Sequence, residues 1–107
     1  MFLRGKVYLQ RNRFASTVDE QAVWQSFRRW MGCFTSHDLS QAIWACGRLD
    51  FQEKPPKELC KSMKDVIRSS LQNFGPVDVS NVCLGLSSFD PEWAEISPEL
   101  ISRAVKE

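Results

Sequence analysis

Phe34-Thr35-Ser36-His37-Asp38-Leu39-Ser40-Gln41 lies over Phe74-Gly75-Pro76-Val77-Asp78-Val79-Ser80-Asn81 at an offset of 40 residues, without a gap. Phe, Asp and Ser recur identically, while Leu/Val and Gln/Asn recur by type. The match has a physical meaning. Thr35 is placed as a helix N-cap, Asp38 as the third helical residue, and Phe34 and Leu39 as a hydrophobic staple around the cap. In the second copy Gly75 takes the cap, Pro76 the first helical position, and Phe74 staples to Val79. Two uses of one helix-start device at one period predict a repeated helical pair. The alternative is coincidence between two ordinary helix starts.

The remainder of the chain reads as helix, with apolar spacing near 3.6 and no sustained alternation. A first helix is predicted over about 18–31, capped by Thr17 with Glu20 and lined by Val23, Phe27, Trp30 and Met31. A second spans about 36–49, with Leu39, Ala42, Ile43, Cys46 and Leu49 inward. A third starts near Pro55–Pro56 and carries Leu59, Met63, Val66, Ile67 and Leu71. A fourth starts at Pro76, with Val79, Val82, Cys83 and Leu86 inward. A fifth follows Ser97–Pro98, with Leu100, Ile101, Ala104 and Val105 inward. Short connections make sequential helices antiparallel. The fold expected is therefore all-α: a short right-handed α-solenoid of helical hairpins, about two and a half repeats of roughly 40 residues.

The chain has 107 residues, 43% hydrophobic and 25% charged, which suits one folded domain. No apolar run approaches the ~20 residues of a membrane-spanning helix. The net charge of +1 hides an asymmetry. Residues 1–17 hold Arg4, Lys6, Arg11 and Arg13 and no acid, whereas the remaining ninety carry 10 basic and 13 acidic side chains. Such a start reads equally as a mitochondrial transit segment, as a basic arm that contacts nucleic acid, or as an incidental tail. The domain division is thus residues 1–17 as the basic segment and 18–107 as the helical domain. Cys33, Cys46, Cys60 and Cys83 lack metal-site spacing, and His37 is the single histidine. The thiols read as structural, and neither a metal nor a cofactor is expected.

Asp38-Leu39-Ser40-Gln41-Ala42-Ile43-Trp44-Ala45-Cys46-Gly47-Arg48-Leu49, followed by Pro56-Lys57-Glu58-Leu59, resembles a repeat of the octotricopeptide and heptatricopeptide class. The same pattern marks the helical regions of FAST-kinase-like and RAP-domain proteins. Its Leu-Ser-x-x-x-Trp-Ala core stands at Leu39, Ser40, Trp44 and Ala45; the second copy has Leu84-Gly85 where the first has Trp-Ala. The resemblance covers about residues 34–107. It implies RNA work in a mitochondrion or, as second choice, a plastid. Two repeats reading about one base each are too few for independent sequence recognition. A structural subunit of an organellar ribonucleoprotein, such as a mitochondrial ribosome, fits better.

Three groups are candidate RNA contacts. Gln41 and Arg48, with counterparts Asn81 and Ser88, present amides and a cation on the first helix of each repeat. Lys57, Lys61, Lys64 and Arg68 fall on one side of the third helix, where they can track phosphates, although Glu58 and Asp65 dilute the field. Arg4, Lys6, Arg11 and Arg13 form the third group, continued by Arg28 and Arg29, with Tyr8 and Phe14 interleaved as aromatics that either stack on bases or anchor the arm on the helices. Each of the first two groups also reads as an ordinary solvated face. Trp24, Trp30, Trp44 and Trp93 are expected as core or interface anchors, and Trp44 in particular as buried.

No catalytic constellation is visible, so the expectation is a non-enzymatic protein without a small-molecule substrate. Its partners would be RNA, in particular ribosomal RNA, and neighbouring protein subunits, since so short a stack leaves its ends uncovered. The competing reading is an accessory scaffold subunit of an organellar respiratory or ATP synthase complex, where the repeat would dock protein only.

Overall fold

The computed structural model describes residues 19–106; the four cations of the N-terminal segment and the expected Thr17 cap lie outside the described residues. Five α-helices follow in order: α1 (Glu20–Trp30), α2 (Ser36–Arg48), α3 (Lys57–Ser69), α4 (Pro76–Phe89) and α5 (Ser97–Lys106). No strand occurs among the described residues. The expectation of an all-α chain therefore holds.

The two helix starts share their setting but use opposite halves of a capping box. A 3-10 turn, Met31–Cys33 or Leu71–Asn73, precedes each. Thr35 Oγ1 accepts the Asp38 amide at 3.1 Å. In the second copy the Asp78 carboxylate accepts the Gly75 amide at 3.1 Å. Each bond satisfies a backbone N–H that the first helical turn leaves without a partner. Phe34, Leu39, Phe74 and Val79 all belong to or pack on the one hydrophobic core.

Other ends differ from expectation. Asp19 caps α1, accepting from the Ala22 amide at 3.1 Å. Glu20 instead reaches across to the amides of Gln52 and Glu53 at 3.3 and 2.6 Å, pinning the loop before α3. Ser97 lies inside α5 rather than capping it. Its hydroxyl donates back to the Ala94 carbonyl at 3.1 Å.

α2 and α4 run parallel and come into backbone contact. His37 meets Asp78 near their starts, and Gly47 meets Gly85 near their ends. A Cβ on Gly47 would come within 2.7 Å of Gly85 Cα, and one on Gly85 would fall on the Ile43 carbonyl. Two glycines thus let the backbones touch, which no larger residue permits. The odd-numbered helices meet differently, through long side chains. Arg28 of α1 pairs with Glu58 of α3 at 3.0 Å, and Arg68 of α3 with Glu99 of α5 at 3.1 Å.

Burial follows helix geometry closely. On α1 the buried line is Trp24, Phe27 and Met31. Trp24 stacks among Phe27, Phe51 and Phe89 at 6.5, 5.3 and 5.1 Å, and its indole N–H donates to the Glu53 carbonyl at 3.0 Å. Trp30 sits roughly a quarter turn off that line, at 100° per residue, and is exposed. Leu49 lies just past the last turn of α2 and is exposed too. On α5 Leu100 is buried, but Ile101, Ala104 and Val105 face outward, because packed neighbours cover one side of this last helix only.

Candidate nucleic-acid interface

Two surfaces carry the candidate residues among the described part of the chain. The first is the outer face of α2 and α4. At 100° per residue, Gln41, Trp44 and Arg48 line up on α2, and Asn81, Leu84 and Ser88 line up on α4. These are equivalent positions under the 40-residue offset. The α2–α4 contact at Gly47 and Gly85 draws the two rows together. Trp44, Gly47, Arg48, Leu84 and Ser88 line one shallow recess of about 190 Å³ between the helices.

Trp44 was expected in the core; it is 38% exposed, and Leu84 is 57% exposed. The reason is angular. Gln41 and Arg48 bracket Trp44 at spacings of three and four, so a helix that turns those polar groups to water turns the indole with them. That spacing was readable in the sequence, and the aromatic character of the residue obscured it. The Arg48 guanidinium lies over the Trp44 ring at 5.2 Å from its centroid, within cation–π range. None of the six row positions is a carboxylate. Lys54 adds a second cation at the end of the row, its ammonium donating to the Ser88 carbonyl at 3.1 Å.

The second surface is the side of α3 that carries Lys57, Lys61 and Arg68. Lys61 is exposed and forms no ion pair among the described residues, but its companions are engaged. Lys57 lies 3.5 Å from Glu92. Arg68 is held by Glu99 at 3.1 Å and by Asp65 at 3.4 Å. Lys64 is not on the surface at all: it is 2% exposed. Its ammonium donates to Glu95 at 2.7 Å and to the Glu92 carbonyl at 3.2 Å. It also lies 3.1 Å from Asp90, which is itself buried. Burial alone would push the Lys64 ammonium down, but Glu95 and Asp90 outweigh it and hold its pKa above the usual lysine value. The cause is again geometric: the buried arc of α3 runs through Cys60 and Met63 to Lys64, where the 90–96 segment covers it. This face therefore carries interleaved charges of both signs, and Lys64 drops out as a phosphate contact.

A third cluster joins the starts of α2 and α4. His37 Nδ1 lies 2.9 Å from Asp78 Oδ1, and Ser40 Oγ lies 2.9 Å from the same oxygen and 2.8 Å from the His37 carbonyl. Burial would raise the Asp78 pKa, but the His37, Gly75 and Ser40 contacts outweigh it and leave the carboxyl below its ordinary range. The residue types are those of a hydrolase triad, but the geometry is not. Imidazole and hydroxyl both converge on the carboxylate, and Ser40 is fully buried. The cluster fastens two helices together.

The cysteines are free. Cys46 is buried, and burial raises its thiol to about 11; Cys60 is raised to about 11 by burial and then by Asp90. Such thiols stay protonated and behave as small apolar groups. No cluster of three or more His, Cys, Asp or Glu placed for a metal occurs among the described residues. No helix among them is long and apolar enough to cross a membrane. No protein-family model, curated protein or solved structure matches the chain.

Proposed function

We propose that this protein is a non-catalytic, RNA-associated structural subunit of an organellar ribonucleoprotein, most specifically a mitochondrial ribosome, built as a short α-solenoid. The observation that carries the reading is the outer face of α2 and α4. There Gln41 and Arg48 stand beside Asn81 and Ser88 at matched positions, with no carboxylate in the row. Amides can bond base edges and the guanidinium can meet phosphate. Residues 1–17 support it further, because four cations without an acid are suited to neutralising phosphates and releasing counterions.

The solenoid reading draws on equivalence. α2 and α4 begin at positions 40 apart after equivalent 3-10 turns. The side-chain links from α3 and the 3-10 turn after it to residues 95–103 keep one separation of 31 residues: Lys64 with Glu95, Arg68 with Glu99, and the Gln72 carbonyl with Arg103. Ile101 and Val105, 59% and 78% exposed, would be covered by a neighbouring protein in such an assembly, which agrees with a subunit rather than a free-standing enzyme.

The test is RNA binding by the full chain across a salt series. Replacing Arg4, Lys6, Arg11 and Arg13 together by Gln should weaken association and flatten its salt dependence, with helical content unchanged. A variant that binds like the parent would leave the contact to the α2–α4 face alone, and a parent chain that binds no RNA even at low salt would favour a protein-docking scaffold in a respiratory or ATP synthase complex.

A further inference from the structure

The exposed indole at the α2–α4 groove remains to be explained. Trp44 could be an ordinary surface aromatic, but four features meet at it. Its ring has a solvent-facing portion, 38% of the residue being accessible. The Arg48 guanidinium lies over it, 5.2 Å from the ring centroid. The recess it lines continues onto the other helix, to Leu84 and Ser88. The Gln41 amide, one turn away on the same face, is exposed and makes no side-chain contact that competes for it among the hydrogen bonds of the described residues.

We infer that Trp44, Arg48 and Leu84 form a socket for one unstacked base of single-stranded RNA, a site that deepens, and rests on, the RNA-associated reading. The chemistry selects this ligand. A flat indole beside a planar guanidinium offers π-faces that any base can stack on. Leu84 supplies an apolar wall, and Gln41 supplies a donor and an acceptor for the base edge. Arg48 also brings positive charge to the phosphate that accompanies the base. A duplex keeps its bases stacked on one another and presents phosphate and sugar instead, so the socket discriminates against it.

The experiment uses the full chain and two fluorescein-labelled probes: an oligoadenylate RNA octamer, and the same strand annealed to oligouridylate. Anisotropy gives affinity, and tryptophan emission reports stacking. The parent should bind the single strand more tightly than the duplex, with indole quenching. Trp44→Ala should weaken single-strand binding roughly 5- to 150-fold, the weight of one stacked base. Trp44→Phe keeps an aromatic face; it should retain most of the affinity yet lose the quenching, which a merely structural role for Trp44 would not produce. Unchanged circular dichroism in both variants certifies folding. Binding by Trp44→Ala within about twofold of the parent, or equal binding of duplex and single strand, overturns the socket and leaves the broader RNA reading standing. Failure of the parent to bind either probe removes both.

Discussion

The outer face of α2 and α4 and the cationic side of α3 hold comparable polar groups, yet their charges are partnered differently. On α3 almost every cation has an acid within reach, and Lys64 is drawn inside by Asp90 and Glu95. On α2 Arg48 lies over an indole, and the row around it contains no carboxylate. A count of cations along one helix therefore overstates the charge available to a ligand. What matters is where the acids of the next segment come to lie.

That contrast can be broken first at Lys64. Lys64→Ala strands Asp90 in the interior, and removing one partner of a buried pair costs about 3–5 kcal/mol. Denaturant unfolding of Lys64→Ala beside a Lys64→Ala, Asp90→Leu double variant should recover part of that loss. A loss under about 1 kcal/mol would mean the pair is solvated, like a surface bridge. The two tryptophans sharpen the same point. Trp24→Ala, in the core, should cost about 3–5 kcal/mol, and Trp44→Ala clearly less, because much of its ring is already in water. Equal shifts in the melting curves would contradict the placement of Trp44.

At the α2–α4 contact, Gly85→Ala should destabilise by about 1–3 kcal/mol, since the new methyl meets the Ile43 backbone. Gly32→Ala meets nothing within 4 Å and should stay within ~1 kcal/mol of the parent. The smallest effect concerns pH. Asp78 has a folded-state pKa below its ordinary 3.8. Its share of stability is present above 3.8 and fades as pH falls through the lower folded value. Asp78→Asn should remove that acid-side slope, measured as urea midpoint against pH; an unchanged slope would place the acid dependence elsewhere.

Much of this fold was legible because it rests on local rules. Caps, staples and the 40-residue offset located the starts of α2 and α4 to the residue. What escaped depends on tertiary placement. Nothing near Lys64 in the sequence announces that Asp90 and Glu95 will fold over it. The outward Ile101 and Val105 obey the apolar period of α5 yet lie on the side that nothing in the described chain covers. Trp44 is the intermediate case: its neighbours Gln41 and Arg48 fixed its direction, and only the assumption that a tryptophan must be buried hid it.

The central claim is that the α2–α4 face, and not the α3 face, meets RNA. The most direct measurement compares two triple variants for single-stranded RNA affinity by anisotropy across a salt series: Gln41→Ala, Arg48→Gln, Asn81→Ala against Lys57→Gln, Lys61→Gln, Arg68→Gln. Loss of binding in the first variant, with the second staying near the parent, is the predicted result. The reverse order, with the steeper loss on α3, would contradict it.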